Sequence, residues 1–409
     1  MKRRRFVAST LGLGASLLSA PSWSQDKWGA SKGYPTGWGP AGERQKWEGH
    51  TDYHVGNFSG GIETMLAHQR IQASASPFAL KEARRAIKFN MFSDASHHAS
   101  RHNLSGLLIA RNDEIWHEEY RFQRTADMRF FGWSMTKSLL GLMVGVAFDQ
   151  GRLQSLDDRT DKYVPALAHH PFADITLRNL LNMTSGIDIC EAFCAPNNGF
   201  DRFGHAQIGF HPNRGQGTDQ IKTLLEFKWG RNEAQGRRFN YSDINPTLMA
   251  WVLETVYLQP LARIAQEQIW QPMGAAADAT WLTDSKGFTL SGAGVSATLR
   301  DWARLGLLVA HEGRLDGRQI VSKAWIDDTS RHTEKDQAAR FHVARPNRGY
   351  RNYFWHHSAD GRMLRMAGAV SQNVLIDKKT KTVLVQTCVG PENGVDEMMS
   401  SLFAAACAM

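Results

Sequence analysis

Residues 132–153 read GWSMTKSLLGLMVGVAFDQGRL. From Ser138 to Phe148 every side chain is apolar or small, and no charge appears before Asp149. The pattern predicts one helix of about four to five turns that begins near Ser134 and stops at Gly151. A helix with no polar face is normally buried, which places this one through the centre of the domain. Its first turn nevertheless carries Ser134 and Lys137, three residues apart and so on one face. A lysine at the mouth of a buried helix fits a nucleophile with its activator. A hydroxyl is a weak nucleophile until an adjacent base takes its proton, and a partly desolvated lysine can do that. The positive end of the helix dipole lies beneath the serine and favours an oxyanion there. The plainer alternative is a capping serine followed by a solvated lysine.

A chain of 409 residues, 42% apolar and 22% charged, has the composition of an ordinary globular protein with a sizeable core. Residues 1–24 stand apart. Lys2-Arg3-Arg4-Arg5 precedes an apolar run too short to span a membrane, and Ser22 and Ser24 supply small residues before Gln25. This reads as a bacterial secretory signal, with Arg3-Arg4-Arg5-Phe6-Val7 resembling a twin-arginine leader. The expected location is periplasmic or secreted. Removing residues 1–24 takes four positive and no negative charges from the net +8, leaving +4. That excess is spread out, which gives no support to a nucleic-acid partner, and no later stretch reaches eighteen apolar residues.

Four cysteines remain, Cys190, Cys194, Cys388 and Cys407. The first two are spaced for a small loop disulfide in an oxidising compartment. No histidine pair sits at ligand spacing beside them, so neither a metal nor another cofactor is expected.

Along the chain, residues 25–58 read as an irregular arm pinned by Trp28, Trp38 and Trp47. Residues 62–71 and 77–89 read as short helices, the whole of 25–102 being an N-terminal arm. Strands are expected at 104–110 and 114–122 around the turn Asn112-Asp113. A helical series follows at 175–182, 219–229, 245–257, 261–270 and 297–311, with a loop-rich stretch at 186–217. Strands return at 353–356, 363–367, 372–376 and 382–389, and residues 397–406 close the chain as a helix. Strands in two groups around a helical middle imply an α+β fold. One antiparallel sheet is then built from both ends, with a helical insertion over about 157–300 inside a 103–390 catalytic domain. The Ser134 helix would lie against a sheet face, and 391–409 would pack on the sheet.

Two further stretches bear on the serine and lysine. Phe239-Asn240-Tyr241-Ser242-Asp243-Ile244-Asn245 is a polar turn before a helix; its tyrosine is either a packed aromatic or a phenol that relays the serine proton. Met366-Ala367-Gly368-Ala369-Val370-Ser371-Gln372 is rich in small residues where a backbone or ligand approaches closely. An N–H there can join that of Ser134 as a two-donor oxyanion hole.

Serine-x-x-lysine at a helix start, then tyrosine-x-x, then a glycine on a late strand resembles the penicillin-recognising serine hydrolases. The resemblance spans roughly residues 103–390 and is strongest to the class C β-lactamase-related branch, with its family VIII carboxylesterases and 6-aminohexanoate-dimer hydrolases. Leu180-Leu181-Asn182-Met183-Thr184-Ser185-Gly186 and residues 292–301 are similar outside the core motifs. The resemblance implies Ser134 as the acylated nucleophile, with Lys137 and Tyr241 sharing the acid–base work. The N–H groups of Ser134 and Ala369 would form the oxyanion hole, and the substrate would be a small ester or amide. Two departures matter. The Y-A-N of β-lactamases reads Tyr241-Ser242-Asp243 here, and K-T-G reads Met366-Ala367-Gly368. Losing that lysine weakens β-lactamase and D,D-peptidase readings, and a non-catalytic penicillin-fold binding or sensor protein has no need for a buried lysine beside a serine. Phe193 stands where the aminohexanoate hydrolases have a tyrosine; Trp355 and Gly368 are further candidates for substrate contact. Asp243 is either a surface carboxylate or a partner for Lys137.

Overall fold

The computed structural model describes residues 62–187, 218–226, 231, 233–331, 349–389 and 394–409. The leader, residues 25–58, the Cys190/Cys194 pair and Phe193 lie outside the described residues. Eight strands form the main sheet in the order Tyr350–Arg351, Phe354–His356, Met363–Gly368, Gln372–Asp377, Thr382–Cys388, Leu104–Arg111, Glu114–Tyr120 and Lys81–Glu82. The α+β fold with strands from both ends is therefore present. The sheet is mixed rather than wholly antiparallel, because Lys81 and Glu82 run parallel to Glu114 and Ile115 at one edge.

Both faces of this sheet are covered, and the residues alternate accordingly. Leu108, Ala110, Val374, Ile376, Val383 and Val385 join one apolar cluster. Their neighbours Leu107, Ile109, Leu375 and Leu384 join the other, with Met399, Leu402 and Phe403 of the closing helix Val395–Ala408. On the first face lies the helix Leu299–Ala310, started by Thr298, whose hydroxyl accepts from the Asp301 N–H. Gly306 in that helix meets Val374 and Val383 directly.

The expected buried helix runs Met135–Asp149, and its residues from Met135 to Ala147 are buried without a break. It does not occupy the middle of the sheet face, which Leu299–Ala310 takes. It packs instead between the Met363–Gly368 strand and the helices Ile244–Tyr257 and Leu261–Ala265. Gly141 and Gly145, one turn apart, explain how close that packing is: a Cβ at the first would strike the Asn352 carbonyl, and at the second the Trp325 indole.

The stretch expected as helical from 62 to 71 is helical only at Ile62–Met65; His68–Ile71 is a strand. It pairs with Ala279–Leu282, which leads through Val295–Ala297 to Phe130–Phe131 in a four-stranded second sheet. Residues 77–89 hold no helix but short strands at Lys81–Glu82 and from Lys88. Pairing with distant partners overrides local helical periodicity at His68–Ile71 and Lys81–Glu82, while the strand from Lys88 pairs locally with Ser93–Asp94. Ala297 belongs to a strand for the same reason, and its helix begins two residues later. The strands Ala279–Leu282 and Val295–Ala297 fall inside the region expected to be a helical insertion. Helices at Ala95–Arg101 and Lys323–Ser330 were not anticipated. Among the described residues no helix is long and apolar enough to cross a membrane.

Candidate active site

The second sheet delivers the serine. Phe130 and Phe131 pair with Ala297 and Ser296, and the Gly132 N–H donates to the Val295 carbonyl at 2.8 Å. Trp133 then turns the chain with φ +48°, a left-handed conformation uncommon for a bulky residue. Such strain persists only where packing over-determines it. The Trp133 indole meets Phe131 edge-on, with ring centroids 4.9 Å apart, in a cluster with Leu282, Leu290 and Ala293. Ser134 follows as the residue immediately before the Met135–Asp149 helix.

The Ser134 side chain makes no capping hydrogen bond. Its Oγ instead accepts from Lys137 Nζ at 3.0 Å, which disposes of the capping-serine alternative. The lysine is no more solvated than the serine is a cap, since its side chain is 1% exposed. Nζ also donates to the Gly292 carbonyl at 2.9 Å and lies 2.5 Å from Asp243 Oδ1. Of the two readings open for Asp243, the structure gives the lysine partner, and its side chain is only 11% exposed.

Tyr241 sits beside this group with Nζ 4.7 Å from its ring centroid, a cation–π distance. Trp355 stacks on Tyr241 at 5.8 Å, and Tyr350 and Phe239 close an aromatic cluster around the pair. Trp355 is thus brought to the site. Tyr353 lies behind; burial first, then the nearby charges of Tyr241 and Asp243, push its phenol well above the ordinary value.

The small-residue strand ends against the serine's approach. A Cβ on Gly368 would strike the Gly132 carbonyl and press on Trp133, so only glycine permits this contact. Gly368 and Gln372 are register partners, and Val370 and Ser371 between them both have left-handed φ, +57° and +55°. Gln372 ties the turn down: its Nε2 donates to the Val370 and Cys388 carbonyls, and its Oε1 accepts from the Cys388 N–H. Among the described residues, neither the Ser134 N–H nor the Ala369 N–H donates to a backbone carbonyl.

Gly292 is the site residue that sequence reasoning missed. The 292–301 stretch stood out only as a similar flank, yet its first residue supplies a carbonyl to Lys137 and its missing side chain makes room for the Asp243 carboxylate. Val295 adds a tie to the turn that carries Ser134, its N–H donating to Thr136 Oγ1 at 3.0 Å. The glycine itself was visible, but nothing in the sequence says what it faces.

Comparison with known proteins follows the same lines. A 6-aminohexanoate-dimer hydrolase of Paenarthrobacter ureafaciens is 28% identical over 290 residues, 70% of this chain and 72% of that one. A solved Bacillus anthracis protein assigned as a 6-aminohexanoate-dimer hydrolase superposes with TM-score 0.75 at 20% identity, covering 90% of this chain and 97% of its own. A family VIII carboxylesterase superposes with TM-score 0.58 at 16% identity, over 76% of this chain and 95% of that one. The sequence profile of the β-lactamase family matches residues 95–398, and with three quarters of its length inside that match the chain belongs to the β-lactamase family of hydrolases.

Proposed function

We propose that this hydrolase is an exported serine enzyme that cleaves a small ester or amide through an acyl-enzyme on Ser134. The observation that carries the proposal is the 3.0 Å contact between Ser134 Oγ and a lysine buried at the start of the same helix. Lys137 and Tyr241 share the proton transfers. The hydroxyl oxygen attacks the substrate carbonyl while its proton leaves, and the carbonyl electron pair moves onto oxygen. The N–H groups of Ser134 and Ala369 stabilise that oxyanion, a contribution of about 3 kcal/mol for one such donor. The amine or alcohol departs with a proton, and water then releases the acid by the same route in reverse.

The aromatic wall of Trp355, Tyr350 and Phe239 beside Tyr241 supports an apolar substituent on the substrate. The basic leader and the apolar run behind it support export to the periplasm or beyond. Turnover of p-nitrophenyl butyrate by the chain beginning at Gln25 tests the reading against Ser134→Ala. Hydrolysis in the parent and none above background in the variant is expected. Equal rates in both, or none in either, would overturn the esterase assignment.

A further inference from the structure

The helix Ile244–Tyr257 has the serine site at its start and an open cleft at its end. Asp243 precedes the first turn, and Glu254 lies about 16 Å further along the axis. The cleft there measures about 830 Å³, within the range of about 300–1,000 Å³ usual for small-molecule sites. Its walls come from the end of that helix, from the helix Gln220–Glu226 and from the turn before Thr289.

Leu225, Leu258 and Phe288 supply the apolar lining. Large apolar side chains are exposed at six positions among the described residues, and Leu225 and Leu258 are two of them, at 39% and 88%. Leu258 is held in left-handed backbone, φ +55°, just past the helix, where glycine is the usual residue. A leucine that buries so little gives the fold nothing that glycine would not.

Two polar groups in the lining are incompletely satisfied. Glu254 Oε1 accepts from the Leu261 N–H at 2.8 Å, which caps the next helix. Among the described residues no cation pairs with this carboxylate. Burial pushes its carboxyl up to about 7, the Leu261 N–H offsetting part of that and the Asp284 charge adding to it. A cation entering the cleft would supply the missing counter-charge. Gln259 Oε1 is buried without a partner, a loss that turning its amide towards a donor in the cleft would recover. Lys222 and Lys286 are exposed at the mouth, Lys222 facing Glu226 at 3.8 Å.

We propose that this cleft is a second binding site, apart from the serine site, for a primary alkylammonium. The charged head meets Glu254 and Gln259, and the apolar body lies against Leu225, Leu258 and Phe288. An ammonium has three donors and no acceptor, which matches a carboxylate oxygen and an amide oxygen both short of donors. Its alkyl chain covers the two leucines that the fold leaves in water.

Calorimetric titration of the purified chain at pH 8 with n-pentylammonium, n-pentanol and n-pentanoate tests the site. The ammonium should bind with Kd of about 1 mM or tighter, and the alcohol and the carboxylate at least about tenfold more weakly. Glu254→Gln should weaken ammonium binding about tenfold or more. Leu258→Asn, which suits left-handed backbone, should weaken it about threefold. Neither variant should change the hydrolysis of p-nitrophenyl butyrate. No ammonium binding up to about 20 mM would overturn the proposal, as would pentanol or pentanoate binding as tightly as the ammonium. Unchanged affinity in either variant would place the ligand elsewhere, and hydrolysis falling in step with binding would make the cleft part of the serine site; both outcomes overturn it too. Binding is read without turnover, so its failure is separable from a failure of the hydrolase assignment, which Ser134→Ala decides.

Discussion

Removing Lys137 tests how far the site depends on its buried ion pair, separately from catalysis. In Lys137→Met the side-chain volume is roughly kept, while Asp243, 11% exposed, loses its counter-charge. Breaking a buried pair from one side costs about 3–5 kcal/mol, because the remaining charge stays desolvated. The limited exposure of Asp243 lets some water reach it, so the lower end, about 3 kcal/mol, applies. At about 2.1 cal/mol/K of unfolding entropy per residue, a body of this size loses roughly 4 °C of Tm for that energy. Lys137→Met with Asp243→Asn removes both charges and should regain most of it, about 2–3 kcal/mol of coupling between the two sites. Thermal unfolding of the parent, both single variants and the double variant supplies the cycle, and p-nitrophenyl butyrate assays run alongside. Both Lys137 variants should be inactive, although the double variant is nearly as stable as the parent. A Tm for Lys137→Met within 1 °C of the parent, or a double variant no more stable than the single, would refute the reasoning: the pair would then contribute no net desolvated charge.

Burial pushes the Glu254 carboxyl up to about 7, the Leu261 N–H at 2.8 Å offsetting only part of that. Its folded value lies above its unfolded one, so the folded state binds the extra proton. Stability from this group is full below the unfolded value near 4.5 and is lost as pH rises through 7. Glu254→Gln should therefore raise stability at pH 8 by about 2 kcal/mol and leave it unchanged at pH 4, read by thermal scans at both pH values; equal effects at the two would count against it. Ser371 is buried and held at φ +55°, a left-handed conformation that favours glycine. Ser371→Gly should relieve about 1 kcal/mol of backbone strain and raise Tm by roughly 1 °C, and a lower Tm would mean that the serine hydroxyl outweighs the strain.

The parts of this molecule that could be read from the sequence are those fixed within a few turns of chain. The all-round apolar helix is one, because thirteen buried neighbours in succession leave a visible pattern. The strands at Met363–Gly368 and Gln372–Asp377 are another, set off by small residues at one end and Asp377-Lys378-Lys379-Thr380 at the other. The Lys323–Ser330 helix was not read, although Ser322 caps it through the Trp325 N–H and Trp325, Ile326 and Thr329 line its buried side. What could not be read depends on distant partners. His68–Ile71 is a strand only because Ala279–Leu282 runs beside it more than two hundred residues away.

The same division runs through the site. Ser134 and Lys137 are three residues apart on one helix, so their contact follows from helix geometry alone. Asp243 and Lys137 are joined by tertiary structure, and the sequence left the carboxylate free to point to solvent or to the lysine. Gly292 decides between them. Any side chain at that position would occupy the volume that the Asp243 carboxylate fills, while its carbonyl holds Nζ from the other side. The surroundings of Lys137 Nζ are thus set jointly by an aspartate, where the resembled motif has an asparagine, and a glycine with no chemistry of its own. A motif comparison sees the first as a departure and the second as a flank, and only their distances to one nitrogen make them a single feature.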